Sequence, residues 1–180
     1  PADNGQFPYL EASPNYNPLY ETLEASGRED FIAGKTLVDY MVASNDPRIS
    51  HYYDEVAGGG YIGQTIGEGG EFATFSHIAE FAYTPTTPGV VLSYTEVAFY
   101  VAEANARWNT AAAATAYDAA VTASILEWGG TSAEATTYLA ANPYDAANWK
   151  KSIGEQAWVA MFNQGLTSWN FWRRLDFPVL

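Results

Sequence analysis

The sequence predicts a mainly α-helical protein, an α-α bundle or repeat-like arrangement with a long Gly- and Pro-rich loop region. Residues 93–180 carry apolar side chains at helical spacing between helix start and stop signals. Residues 1–92 hold most of the 15 glycines and 9 prolines. The chain of 180 residues is therefore predicted to be a single portion with a loop-rich segment, 1–92, and a helical core, 93–180.

Two short helices are predicted in the first segment. One follows Asn17, where Pro18 suits the first helical turn. The other covers 35–43, because Leu37, Val38 and Met41 recur at helical spacing and the Asn-Asp-Pro sequence at 45–47 ends the pattern.

A helix opened by Ser93 is predicted by a capping box, in which Ser93 accepts a first-turn amide and Glu96 reaches back. Its apolar stripe is expected to face the core and comprises Val97, Tyr100, Val101, Ala104 and Trp108. A second helix is expected over 111–128 and ends at Gly129-Gly130. A third begins with the Thr-Ser-Ala-Glu sequence at 131–134 and ends before Pro143.

The fourth predicted helix, 145–164, is apolar on two faces. One face carries Trp149, Ile153 and Ala157, and the other carries Trp158 and Phe162. A helix of this kind is normally enclosed by its neighbours, so Trp158 is expected to be buried. Gly165 suits the left-handed residue after that helix, and a last helix is predicted from Thr167 to before Pro178.

Composition excludes several classes of function. Eight Lys and Arg against 21 Asp and Glu give a net charge of −13, which argues against binding to nucleic acid or to anionic lipid. The absence of cysteine excludes disulfides, a thiolate zinc site and a cysteine nucleophile. No apolar run reaches the roughly 18 residues of a spanning helix. Because the chain begins with neither Met nor a signal peptide, we expect a mature product or a piece of a longer protein.

A glycine pattern, Gly58-x-Gly60-x-x-Gly63, matches the dinucleotide-binding fingerprint by letter. The fingerprint functions only between a strand and a helix, whereas the segment that follows is a poor helix start with two acids, Glu68 and Glu71. A surface loop is the better interpretation, and no cofactor is expected.

Aromatic residues around this glycine-rich loop are the best candidates for ligand binding. Flat rings can cover the apolar faces of sugars, and nearby acids and amides can accept hydroxyl protons. The candidates are Tyr52, Tyr53, Tyr61, Phe72 and Phe75. The alternative, that these rings pack beneath the loop as core residues, stays open.

Neither catalytic residues nor a metal site is predicted. Asp54, Glu55, Glu68 and Glu71 supply acids, but no periodic element sets their separation, and His51 and His77 lack a metal-binding spacing. The paired arginines Arg173 and Arg174 are instead expected to form a structural ion pair with the helix opened by Ser93, most of all with Glu103. Glu103 can also pair with Arg107, four residues later.

Four stretches resemble the SusD/RagB family of outer-membrane nutrient-binding lipoproteins, specifically its SusD-like branch. They are NDPRI at 45–49 with Tyr52-Tyr53, LSYTEVAF through AEA at 92–104, Tyr117 with the ASILEWG segment at 123–129, and QAWVAMF at 156–162 with Gly165 and 169–178. The resemblance implies a helical fold with tetratricopeptide-type units. It also implies that this chain is the C-terminal portion of a longer protein, whose N-terminal portion carries a lipidated cysteine.

The same resemblance implies a function without catalysis. A member would capture an oligosaccharide or polysaccharide at the bacterial cell surface and pass it to a partner, a TonB-dependent SusC-like outer-membrane transporter. Two alternatives remain: capture of a peptide by the same fold, or a glycan-degrading hydrolase with its carboxylates in the loop-rich segment.

Overall fold

Helices make up most of the regular structure in residues 3–180, the part of the chain that the computed structural model describes. The mainly α-helical prediction is confirmed. The described residues form two compact units, which we call the loop-rich unit (Gln6–Val91) and the helical unit (residues 92–180 with residues 3–5). Two short strands, β1 (Gly5–Phe7) and β2 (Gly89–Leu92), pair in a two-stranded sheet.

The loop-rich unit contains short helices joined by long connections. They are α1 (Pro18–Tyr20), which continues as a π-helical segment (Glu21–Ala25), α2 (Lys35–Ala43), α3 (Ile49–Tyr52) and single 3-10 turns at Phe72–Thr74 and Glu80–Ala82. Both predicted helices are present. Asn17 caps α1, since its Oδ1 accepts the Leu19 amide at 2.7 Å, and α2 has the predicted bounds.

A fully buried ion pair lies in the turn between α2 and α3. Arg48 Nε donates to Asp46 Oδ1 at 2.8 Å, the Arg48 amide donates to the same oxygen at 3.0 Å, and both side chains are 0% exposed. Asn45 takes the left-handed conformation (φ 51°) that lets the chain leave α2 at this point. The Asp-Pro-Arg sequence therefore has a structural role, because it folds the backbone around its own charge pair.

The helical unit comprises five helices among its described residues. They are α4 (Tyr94–Trp108), α5 (Thr110–Glu127), α6 (Ser132–Ala141), α7 (Trp149–Ala160) and α8 (Gly165–Leu175). Their core includes Phe99, Tyr117, Ile125, Ile153 and Phe171. Over residues 3–180, no helix combines the length and the apolar character needed to cross a membrane.

The predicted inward face of α4 is wrong. Val97, Val101 and Trp108 are exposed, Trp108 by 81%, and the buried face instead carries Phe99, Ala102 and Ala106 together with Thr95, Glu96 and Glu103. Two carboxylates can occupy that face because each has a partner. Tyr100 Oη donates to Glu96 Oε1 at 2.6 Å, and burial followed by this hydrogen bond raises the pKa of Tyr100 to about 12. Ser93 caps α4 as predicted, but Glu96 binds Tyr100 rather than reaching back to the cap.

Two expectations for α7 are also wrong. Trp158 is only half-buried, because the second enclosed face of α7 carries Gln156 and Val159, and Gln156 Nε2 donates to the Tyr138 hydroxyl at 2.8 Å. Gly165 does not end the helix. Asn163 takes the left-handed conformation there (φ 61°), and Gly165 is the first residue of α8.

Glu103 lies between two arginines. Arg174 Nε is 2.8 Å from Glu103 Oε2 and 3.0 Å from Oε1, and Arg107 Nε donates to Oε1 at 3.0 Å. Of the two arginines singled out in the sequence, Arg174 therefore makes the expected contact. The guanidinium of Arg173 lies instead over the ring of Trp169, 4.8 Å from its centroid.

Replacing Glu103 by Gln should lower the free energy of unfolding by about 1.5–3 kcal/mol, the usual contribution of hydrogen bonds to charged groups. The cost stays below that of a fully buried pair because both guanidiniums remain about one-third exposed and keep part of their hydration. Urea denaturation measures the change. Asp39→Asn is the control, since it breaks an exposed pair with Lys35 and should cost less than about 0.5 kcal/mol.

A double variant tests whether Glu103 and Arg174 stabilise the protein as a pair or independently of each other. Glu103→Gln combined with Arg174→Met should lose less stability than the two single changes added together. Additive losses would contradict an energetically coupled contact.

Candidate functional site

A groove of about 300 Å³ opens on the loop-rich unit and combines aromatic and charged side chains. All of its lining residues belong to that unit: Leu23, Glu24, Gly27, Arg28, Glu29, Phe31, Asp54, Phe72, His77, Ile78 and Tyr83. Its volume is at the lower end of the range of small-molecule sites.

One wall of the groove is held by pairing of 52–54 with 77–79. The Asp54 amide donates to the His77 carbonyl at 2.9 Å, and the Ala79 amide donates to the Tyr52 carbonyl at 2.9 Å. This pairing places Asp54, His77 and Ile78 along the groove. The side chains of Tyr52 and Tyr53, in the same segment, are buried.

Tyr52 and Tyr53 were expected to stack on a ligand, and the structure places them in the core instead. Their exposed fractions are 0% and 5%, and burial raises the pKa of Tyr53 well above its usual range. Both rings are enclosed by the loop-rich unit, so neither has a free face. The alternative left open in the sequence analysis holds for these two residues.

Phe72 and His77 form a stacked pair at the groove. Their ring centroids are 3.8 Å apart with planes 12° from parallel. His77 Nε2 lies 3.0 Å from the Phe72 carbonyl oxygen, which can only accept, so Nε2 carries the proton. The hydrogen bond holds the His77 ring against the Phe72 backbone, and the stack places the two rings face to face.

The opposite wall comes from the chain after the π-helical segment. Gly27 (φ 64°) reverses the chain in the left-handed region, and Arg28 then lies over the Phe31 ring, 4.9 Å from its centroid. Arg28 also pairs with Asp30, where Nε is 2.9 Å from Oδ1. That hydrogen bond lowers the pKa of Asp30 and raises that of Arg28.

The groove carries an excess of negative charge. Three carboxylates line it, those of Glu24, Glu29 and Asp54, against one guanidinium, Arg28, which already bonds Asp30. Burial raises the pKa of Tyr83, and the charges of Glu24, Asp54 and Glu80 raise it further. The Tyr83 hydroxyl therefore remains a proton donor at neutral pH.

Of the five aromatic candidates, only Phe72 lines the groove. Tyr61 and Phe75 are half-buried elsewhere in the loop-rich unit. Burial raises the pKa of Tyr61, as do the charges of Glu55 and of the groove residue Asp54, and Phe75 packs against the backbone of Gly70. Phe31 and Tyr83 were not predicted from the sequence, because they lie outside the glycine-rich loop and line the groove only in the folded chain.

The glycine fingerprint is a turn. Gly58, Gly59 and Gly60 all have positive φ, and the Val56 amide donates to the Gly60 carbonyl at 3.0 Å. Gly63 is required by packing, since a Cβ there would lie 2.5 Å from the Lys35 Cα. Among the described residues, no strand directly precedes this turn and no helix directly follows it, so the pattern has no pyrophosphate-binding context.

The acidic residues singled out in the sequence are scattered. Asp54 lines the groove, whereas Glu55, Glu68 and Glu71 do not. Throughout residues 3–180, no group of three or more His, Asp or Glu side chains is arranged to hold a metal ion. The arrangement is suited to contact with a polar ligand that has apolar faces.

A family model described as "Starch-binding associating with outer membrane", of the SusD-like group, matches residues 1–180. The chain belongs to the SusD-like family. None of the curated proteins is significantly similar to it.

Solved SusD-like structures share the fold. A chitin-binding protein is 29% identical with a TM-score of 0.72, and the match covers 82% of this chain and 38% of that one. A chitin-binding SusD homologue from Flavobacterium johnsoniae is 24% identical with a TM-score of 0.76, covering 95% and 42%. A SusD homologue from Bacteroides vulgatus is 23% identical with a TM-score of 0.78, covering 96% and 42%. This chain therefore spans about two-fifths of the length of these relatives.

Proposed function

We propose that this SusD-like chain binds a glycan in the groove of the loop-rich unit and does not cleave it. The proposal rests on one observation: aromatic rings and free carboxylates line the same groove. The Phe72 ring is fixed by its stack on His77, and Phe31 and Tyr83 add further aromatic surface. Sugar rings have apolar faces that such rings cover, while their hydroxyls donate to carboxylates such as Asp54.

Two of the relatives described above support the ligand class, since both are described as chitin-binding. The family description, with its starch binding and outer-membrane association, supports the place of action. We propose that the whole protein is lipid-anchored at the outer surface and passes its glycan to a TonB-dependent transporter of the SusC type. In such a role the glycan must be released intact, which is why binding without hydrolysis is expected.

Phe72→Ala should weaken glycan binding about tenfold, equivalent to 1.4 kcal/mol, because it removes one stacking face. Calorimetric titration with chitohexaose and with maltohexaose measures the Kd. The melting temperature should hardly change, since Phe72 is only half-buried. Phe81→Ala is the matched control: this ring is 51% exposed in the same unit, lies outside the groove and should leave the Kd unchanged.

Two outcomes would contradict the proposal. An unchanged Kd in Phe72→Ala would place the glycan elsewhere on the chain. Release of shorter sugars at catalytic rates during the titration would favour the hydrolase alternative, with Asp54 and Glu24 as its first candidate carboxylates.

A further inference from the structure

The charged side chains of the groove make it selective for the charge of its ligand, independently of its aromatic surface. Glu24, Glu29 and Asp54 line it, and no side-chain hydrogen bond or ion pair among the described residues engages these three carboxylates. The one guanidinium in the lining, Arg28, is bonded through Nε to both oxygens of Asp30, at 2.9 and 3.2 Å. The positive charge of the lining is therefore already matched, and its negative charge is not.

Such a lining acts differently on three kinds of sugar. A carboxylate or sulfate on the glycan would meet like charges in the groove, which is unfavourable. A neutral sugar meets acceptors for its hydroxyls. A sugar with a free amine gains, when that amine is protonated, charge-assisted hydrogen bonds to the carboxylates and a favourable position over the Phe72 or Phe31 ring.

We infer that the groove is selective for charge: it prefers glycans with free amino groups, accepts neutral ones and excludes those bearing carboxylates or sulfates. The inference rests on the proposed function and narrows its ligand class. The overall charge of −13 also attracts cationic glycans and repels anionic ones as they approach. The groove carboxylates add a local contribution that single substitutions can remove.

Three hexasaccharides test this: chitohexaose, the fully deacetylated glucosamine hexamer and hexagalacturonate. At pH 6, where most of its amines are protonated, the glucosamine hexamer should bind at least about threefold more tightly than chitohexaose at 20 mM salt, with the advantage shrinking at 150 mM as screening increases. Hexagalacturonate should show no measurable binding. Asp54→Asn and Glu24→Gln should each reduce the preference for the amine, measured as the ratio of the Kd for chitohexaose to the Kd for the glucosamine hexamer.

Glu55→Gln is the control, since it makes the same change in net charge one residue outside the groove lining. It should leave the preference intact. If Glu55→Gln reduces the preference as much as Asp54→Asn does, the effect comes from overall charge and the inference is wrong. Equal binding of all three hexamers also overturns it, with the proposed function still standing. Failure of all three, and of maltohexaose as well, overturns both.

Discussion

Arg48→Met should lower the free energy of unfolding by about 3–5 kcal/mol, the largest effect expected in the loop-rich unit. The substitution keeps most of the side-chain volume but leaves the Asp46 carboxylate buried without its guanidinium. Both side chains are 0% exposed, so water cannot replace the lost partner unless the turn opens. Urea denaturation followed by circular dichroism measures the loss.

Arg28→Met is the matched control for that measurement. Arg28 also pairs with an aspartate two residues away, Asp30, but the two side chains are 52% and 54% exposed. That variant should cost less than about 1 kcal/mol. A similar small loss for Arg48→Met would mean that the buried pair contributes no more than a surface pair, contrary to the argument from burial.

Phe171→Ala should lower the stability of the helical unit by about 3–5 kcal/mol, as expected for removing a buried aromatic ring. Phe171 is 0% exposed, packs edge-on against Phe99 at 6.2 Å between centroids and stacks on Tyr100 at 5.0 Å. The guanidinium of Arg174 lies 4.7 Å from its centroid, so the cavity would also loosen the contact with Glu103. Thermal and urea unfolding of purified protein measure the change.

Trp169→Ala, two residues earlier on α8, is the comparison. Trp169 is 50% exposed, and its ring lies against the guanidinium of Arg173, a contact worth about 0.5–1 kcal/mol at an exposed site. A loss as large as that of Phe171→Ala would show that Trp169 is part of the core. A small loss for Phe171→Ala would show that the unit repacks around the missing ring.

Local sequence signals were sufficient for most of the helices. The capping box at Thr131 and Glu134 is present, since each residue bonds the backbone amide of the other, and it opens α6. The Asn45-Asp46-Pro47 sequence ends α2 as expected. These features depend on residues within one turn of each other, so the local sequence is sufficient to predict them.

Which face of a helix is buried depends on distant partners. The apolar stripe of α4 predicted the wrong face, because two carboxylates, Glu96 and Glu103, are buried in its place. Burial of Glu103 depends on Arg174, which is 71 residues further along the chain. The spacing of apolar residues within α4 carries no information about that contact.

The candidate site was predicted only in part, because it also depends on contacts between distant residues. The loop composition led to Phe72, but Phe31 and Tyr83 join it only through folding of the loop-rich unit. Tyr52 and Tyr53 are core residues, and the backbone pairing of this segment with 77–79 joins residues about 25 positions apart. Tyr61 and Phe75 stay predictions, with Tyr61 close enough to Asp54 to be affected by its charge.

The central claim is that a glycan occupies the groove of the loop-rich unit, and the two histidines of the chain allow a direct test by NMR. His77 lines the groove, whereas His51 packs edge-on against Phe81 outside it. Protein labelled with carbon-13 only in histidine gives one set of ring signals for each. Titration with chitohexaose or maltohexaose, whichever binds more tightly, should shift the His77 signals saturably and leave those of His51 in place. Unmoved His77 signals at saturating glycan would contradict the assignment of the groove.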